Sequence, residues 1–305
     1  MKKFIKLDTT TTVTSRYNGA LAGDILGEAL VKSDTINKGV VTILPNILGT
    51  GALPKLSHSN SFAAYDCAFT PSGTQSYTDK ALVTKRFRLD SEHCKGDYRN
   101  MFQTELAGDY GNSQGIPATV QEAILVQILA DFGKNLDYNI WQGANTATEF
   151  NGFIPQMVAD AEVVDVVGTA ITAANVIAEL TKVYTAIPQA IITEEDLVIV
   201  VSPNVERAYK LAQAAVTGGL FMVGDKEMDF VGVRLVSIAG LPANTMVAYR
   251  IKNLAFGTGL ESDLNEVKLT DLSDYSNNDI VQATISFNGG CAYYYGAEIV
   301  LYKTA

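Results

Sequence analysis

Two histidines and three cysteines, His58, His93, Cys67, Cys94 and Cys291, carry most of the ligating and nucleophilic chemistry open to this chain. A zinc site built from His58, Cys67, His93 and Cys94 would lack any C-x-x-C or H-x-x-x-H pair, and neighbouring His93 and Cys94 would strain to reach one tetrahedral ion. The alternative is a set of isolated side chains in a hairpin and its exit. Cys94 beside His93 is the sharpest nucleophile and base pairing, but adjacency in sequence does not place two side chains in contact, and no G-x-S-x-G is present. No catalytic, cofactor-binding or metal-ligating residue is therefore assigned, no cofactor is expected, and the chain is not read as an enzyme.

Gly257-Thr258-Gly259 raises the question of a phosphate cradle. A P-loop needs a glycine-rich turn ending in Gly-Lys-Ser/Thr at a helix start, and a dinucleotide fingerprint needs a third glycine. Neither is here, and the residues that follow are acidic and strand-like. The pair is read as a backbone hinge in which glycine supplies positive φ at little steric cost. The loop holding Asp271, Asp274, Asn277, Asn278 and Asp279 is rich in oxygen ligands for calcium, yet it lacks the glycine and closing glutamate of an EF-hand. A solvated hairpin turn is the simpler reading. Glu194-Glu195-Asp196 likewise reads as a solvated turn, and nothing singles out a carboxylate pair for glycosidase chemistry.

The elements that would position such groups must come from 305 residues, enough for one large domain or two smaller ones. Asp and Glu outnumber Lys and Arg by 33 to 23, a net charge of -10 that argues against a surface built to neutralise phosphates. Only 18% of residues are charged while 47% are apolar, so some apolar surface is expected to meet other subunits. The opening MKKFIKLDTTTTV is interrupted at Lys6 and Asp8 before a signal-peptide core can form, and no apolar run reaches membrane-spanning length. Three widely spaced cysteines suit reduced thiols better than a disulfide framework.

A short helix is predicted near Ala20–Val31 and an extended stretch at Gly39–Leu44. From Leu56 to Asp97 aromatics and hydroxyls dominate, and ALVTKRFRLD alternates with period two, placing Val83, Lys85, Phe87 and Leu89 on one face and Leu82, Thr84, Arg86 and Arg88 on the other. Such a hairpin is too polar to form its own core and needs a surface to lie on. The strongest helix spans Pro117 to about Trp141, with Leu125, Ile128, Leu129, Phe132, Leu136 and Ile140 along one side. Beyond it an α/β unit is predicted: a helix capped by Thr172 and running to Ile187, the buried strand LVIVV, and a helix from Ser202-Pro203 to about Ala215. Strands are expected at Asp229–Ala239 and Met246–Ile251, a hairpin at Leu264–Leu269 with Ile280–Phe287, and a last strand in GAEIVLY.

This order of elements, with the segments IWQGANTATEFNGFI, VIVVSPNVERAYKLA and MDFVGVRLVSIAGLPANTMVAYRIKNLAFGTGLESDLNEVKL, resembles the major capsid proteins of tailed bacteriophages, whose fold encapsulin shells share. The resemblance covers nearly the whole chain. It implies an α+β fold of the HK type: an N-terminal arm at 1–50, an extended β-hairpin loop at 51–97, a peripheral domain with its spine helix at 98–149, an axial α/β domain at 150–251, and return strands at 252–305. It further implies a virion subunit that forms hexamers and pentamers of an icosahedral shell around double-stranded DNA, without sequence-specific binding and without a membrane, assembled in the bacterial host cytoplasm.

Portal and scaffolding proteins are the partners the resemblance brings, with cement proteins as a further possibility. An encapsulin-like compartment around a protein cargo is the nearest alternative, and a cytosolic Cys/His enzyme the alternative of another class. Many relatives begin with a scaffolding segment that is later removed; this chain reaches the arm at once, so a separate scaffolding protein or none is expected. Some relatives form Lys–Asn cross-links, and Lys80 or Lys85 in the hairpin is the candidate for that role here, but no partner Asn or catalytic Glu is recognisable and surface lysines that protect an exposed strand are the simpler reading.

Overall fold

The computed structural model describes residues 14–18, 33–47, 49–60, 62, 67, 73–94, 118–216, 228–259, 266–272 and 280–304. The helix expected near Ala20–Val31 lies outside them. In chain order, β1 (Thr14–Asn18), a single helical turn α1 (Asp34–Asn37) and β2 (Thr42–Leu44) come first. Two eleven-residue strands follow, β3 (Thr50–Asn60) and β4 (Gly73–Val83), then β5 (Lys85–Cys94) and the long helix α2 (Ala118–Gln142). After α3 (Phe153–Ala159), β6 (Val164–Gly168) and α4 (Val176–Ala186) come β7 (Leu197–Val201) and α5 (Pro203–Val216). The chain then runs through β8 (Met228–Phe230), β9 (Val233–Ser237), β10 (Met246–Arg250), β11 (Leu254–Thr258), β12 (Glu266–Asp271), β13 (Ile280–Tyr293) and β14 (Val300–Thr304).

The chain divides into two units. The first takes Met1–Lys32, Arg86–Gly133 and Gly259–Asn288. Here β1 pairs antiparallel with β12, β12 pairs antiparallel with β13 from Glu266 opposite Ser286 to Asp271 opposite Val281, and β5 pairs with β13. Alternation along β13 buries Val281, Ala283, Ile285 and Phe287, and the Phe132 ring of α2 meets Phe287 edge-on with centroids 5.2 Å apart. The β5 strand alternates too: its exposed carboxylates Asp90 and Glu92 accept from the Thr284 hydroxyl and the Gln282 amide of β13.

ALVTKRFRLD is not one strand. It breaks at Thr84, whose N–H donates to the Gly49 carbonyl at 2.7 Å while its hydroxyl accepts from Gly49 N at 2.9 Å. The break changes the side-chain parity: Val83 is exposed, whereas Lys85, Phe87 and Leu89 lie on the more covered face. Only the first part therefore belongs to a hairpin with β3, and β5 pairs with β13 instead.

The second unit takes Ser33–Lys85, Lys134–Thr258 and Gly289–Ala305. Its six-stranded sheet has the order β6-β14-β10-β7-β9-β8. β7 lies inside it and is buried at all five positions, which is why LVIVV reads as an unbroken apolar run and not as an alternation. One face packs on α4 and α5 through Val176, Leu180, Val183, Val205 and Tyr209. On the other side, the Trp141 ring of α2 packs with Phe153 and Tyr249, and the Tyr249 hydroxyl donates to the Val40 carbonyl. The remainder of β13 pairs with β11, which in turn pairs parallel with β2.

Several boundaries differ from the sequence reading, among them the last strand, which begins at Val300 after a 3-10 turn at Gly296–Glu298, and two have a clear local cause. The Asn175 side chain accepts from the Thr172 N–H and hydroxyl, making a turn of the residues expected to start α4, so the helix begins at Val176. The stretch Asp229–Ala239 is a tight hairpin, because Val231 and Gly232 both take positive φ, 52° and 81°, between Phe230 and its cross-strand partner Val233. This is the backbone of a two-residue turn that favours Asn-Gly, and a β-branched residue is strained there. Val231 is 67% exposed and loses little packing when replaced. Val231→Asn is expected to stabilise the protein by about 1 kcal/mol, measured by denaturant unfolding.

Candidate functional site

The residues with intrinsic chemistry are not brought together. His58 lies in β3 opposite Gln75. Cys67 and Cys94 are exposed, and Cys291 is buried, which pushes its thiol well above the usual range. His93 and Cys94 are consecutive in a strand and so project to opposite faces of β5, which removes the nucleophile and base pairing. Among the described residues no group of three or more His, Cys, Asp or Glu is placed to hold a metal. Asp274, Asn277, Asn278 and Asp279 lie outside the described residues. Glu194 and Asp196 are not merely solvated: both pair with Arg250, at 3.5 and 3.1 Å.

Gly257 is not a hinge of positive φ. It sits within β11, and a Cβ there would come 2.5 Å from Leu82 Cδ2, so glycine is needed for the close approach of a buried leucine.

One buried polar cluster in the second unit is fully partnered. Glu179 of α4 accepts from Lys182 Nζ at 2.9 Å, from the Tyr302 hydroxyl at 2.9 Å and from Thr169 Oγ1 at 3.3 Å. Burial alone would raise the carboxyl, but Lys182, Tyr302 and Thr169 together hold it below its ordinary value of 4.5, while burial and the Glu179 charge push the Tyr302 phenol up to about 12. A carboxyl lowered by folding contributes stability that is complete above its unfolded value and is lost as the pH falls through the folded one. Glu179→Gln is therefore expected to flatten the fall in stability between about pH 5 and pH 3, as read from unfolding midpoints across that range.

The most prominent surface feature is the β3–β4 hairpin, in register from Thr50 opposite Val83 to Asn60 opposite Gly73. Its inner face begins apolar: Leu53 and Leu82 are buried with Ala255 and Ala292, packed round by Leu44, Ile47 and Tyr294. Further out the same face turns basic. Lys55 Nζ meets Glu162 at 2.8 Å, and Lys80 Nζ meets Asp160 at 3.3 Å while lying 3.3 Å from the centre of the Tyr293 ring. The Tyr293 hydroxyl donates to Asp160 at 2.7 Å, and the Tyr295 hydroxyl donates to the Leu56 carbonyl at 3.3 Å.

Burial against Tyr293 outweighs pairing and lowers the Lys80 ammonium. Asp160 is lowered as well, because the Tyr293 hydroxyl, the Glu162 N–H and Lys80 overcome the effect of burial. Lys85, at the start of β5, reaches Asn145 Oδ1 at 2.6 Å and the carbonyls of Thr146 and Glu149. Lys80 and Lys85 are thus engaged within the subunit and are not free surface charges.

The outer face of the hairpin is unlike the inner. Leu56 and Tyr77 stand directly opposite each other across the two strands and are 48% and 67% exposed, with Pro54 and Asp79 the next pair toward the base. Every residue of β4 from Gly73 to Asp79 is exposed. The composition marked a hairpin lying on a surface only from Leu56, whereas the resemblance set the loop at 51–97; β3 begins at Thr50. The missed signal is the period-two pattern of Gly51, Leu53 and Lys55 in TGALPKLSHSN, which already marks an inner face.

No protein-family model matches the sequence, and no curated protein does. In three dimensions the chain is similar to chains in the satellite phage P4 procapsid that includes the size-determination protein Sid, with a TM-score of 0.58 at 13% identity over 92% of this chain and 98% of that one. It is also similar to a Gordonia phage Cozz chain, with a TM-score of 0.61 at 14% identity over 90% and 87%, and to the capsid chain of a native GTA particle, with 0.60 at 13% over 99% and 96%. The fold, a mixed α+β arrangement, is that of tailed-phage major capsid proteins.

Proposed function

We propose that this protein is a major capsid subunit of a tailed phage, a structural protein whose copies form hexamers and pentamers of an icosahedral shell around double-stranded DNA. The observation that carries the reading is the hairpin: two eleven-residue strands bearing an exposed Leu56–Tyr77 pair, on a fold otherwise seen in capsids. A solvated two-stranded ribbon is marginal alone, and burial on a second copy supplies what it lacks. A heterologous contact of that kind closes into rings when its rotation allows.

In this reading 1–50 is the arm, the extended loop is carried by β3 and β4 within 51–97, α2 is the spine of the peripheral domain at 98–149, 150–251 is the axial domain, and 252–305 are the return strands. A wall of net charge -10 does not grip phosphates, which suits DNA packed without sequence-specific contacts. Portal, scaffolding and cement proteins are its further partners, the virion its location and the host cytoplasm its site of assembly. No helix among the described residues is long and apolar enough to cross a membrane.

Electron microscopy of the expressed chain tests the proposal. Closed icosahedral particles, alone or with a co-expressed scaffolding protein, are the expected result, and particles from infected cells should protect DNA from nuclease. A chain that stays singly dispersed at high concentration under both conditions overturns it, and particles filled with a protein cargo in place of DNA would make it a compartment shell.

A further inference from the structure

We propose that Lys55 and Lys80 form a two-point ionic latch that sets the direction in which the β3–β4 hairpin leaves its own unit, with Gly49 and Thr84 as the pivot. The inner face has three zones in sequence order. At the base, Thr84 is bonded to both the N–H and the carbonyl of Gly49, which has φ of 86°. Thr84 itself lies in neither ladder, since β4 ends at Val83 and β5 begins at Lys85. Next, Leu53 and Leu82 fill an apolar socket with Ala255 and Ala292. Level with the socket and beyond it, the ties of this face among the described residues are the lysine pairs, Lys80, opposite Leu53, on Asp160 and Lys55 on Glu162, with the Tyr295 hydroxyl on the Leu56 carbonyl beside them.

Both partners come from one short turn after α3, and both lysines lie over tyrosines of the 293–295 segment, Lys80 at 3.3 Å and Lys55 at 5.6 Å from the ring centres. Asp160 is itself oriented by Tyr293 and by the Glu162 N–H. Ion pairs that are partly exposed, from 25% at Asp160 to 54% at Glu162, contribute modestly and respond to salt, and stacking on an aromatic face adds to them. Such a clamp holds one direction in the free subunit yet yields when a neighbour offers a better surface. The purpose rests on the shell reading above; the latch itself is a property of the single subunit.

The test is a distance distribution by pulsed electron resonance in the full chain, with spin labels at Ser76 and Thr146 and the exposed Cys67 and Cys94 replaced by serine. Wild type is expected to give one narrow distance at low salt that broadens as salt is raised. Lys55→Met with Lys80→Met keeps the aliphatic packing and should raise the displaced population about tenfold, independent of salt. Lys55→Arg with Lys80→Arg, which keeps both the charge and the ring contact, should retain the narrow distance. An unchanged distribution in the methionine pair, or one in the arginine pair as broad as in the methionine pair at an unchanged unfolding temperature, overturns the latch. Particle formation by the same variants is scored separately, so that failure of the latch and failure of the shell reading give different results.

Discussion

Replacing Asp137 by alanine is expected to destabilise the protein by about 3 to 5 kcal/mol, the largest effect of any single polar substitution in the second unit. Asp137 lies on α2 and is 4% exposed. Its carboxylate accepts from the Ser33 hydroxyl at 2.6 Å, the Asp34 N–H at 2.7 Å and the Thr35 N–H at 3.1 Å, and so caps the start of α1. Alanine leaves the buried Ser33 hydroxyl and Thr35 N–H and the part-buried Asp34 N–H without their acceptor, so the two buried donors contribute most of the cost.

Asp137→Asn keeps one acceptor but sets an amide N–H₂ against donors, and its cost should fall between wild type and alanine. Ser33→Ala removes a single bond and should cost about 1 kcal/mol. The chain's one tryptophan reports on the same place, since Trp141 Nε1 donates to Thr35 Oγ1 at 2.9 Å. Thermal unfolding and tryptophan emission should therefore move together. An unaltered midpoint in Asp137→Ala would show that the 33–41 segment is not anchored by this carboxylate.

The second large effect is on assembly. Leu56→Glu combined with Tyr77→Glu is expected to leave the subunit's unfolding midpoint within about 0.5 kcal/mol of wild type, because both side chains are exposed and surface changes seldom matter more. The same pair should lower the yield of closed particles about 100-fold or more. Placing two carboxylates where a neighbouring copy is to bury an apolar pair costs several kcal/mol per contact, and each factor of ten in an equilibrium requires only about 1.4 kcal/mol. Sedimentation of expressed material separates subunits from shells. Particles at wild-type yield would remove the hairpin's outer face from the assembly contact and with it the observation on which the shell reading rests.

Local pattern was enough wherever one element's own residues set its environment. The stripe of α2, the Ser202-Pro203 start of α5 and the buried run of β7 were all legible, because 3.6-residue spacing, capping and continuous apolarity are properties of neighbours in sequence. The break at Thr84 was not. Period-two alternation carries through ALVTKRFRLD on paper, and what stops the strand is Gly49, thirty-five residues earlier. The Val231-Gly232 turn was missed for a related reason, since valine is a strand former that this hairpin forces into positive φ.

The candidate site divides in the same way. That one side of the hairpin would be left polar and uncovered followed from composition and alternation. Which face of the hairpin looks inward did not, because Leu53 and Leu82 meet Ala255 and Ala292 only across the fold, and Lys55 and Lys80 find Asp160 and Glu162 on a turn far along the chain. Gly257 shows the limit most clearly: its sequence context suggests conformational freedom, whereas the structure requires the absence of a side chain beneath Leu82. The amino-acid sequence alone determined the long helix, the capped helix and buried strand of the second unit and the polar character of the hairpin, since these depend on short-range periodicity and composition. Tertiary structure decided which long-range neighbours satisfy each buried charge and fill each gap, because hydrogen bonds and contacts of 3 to 4 Å are set by packing that no local pattern encodes.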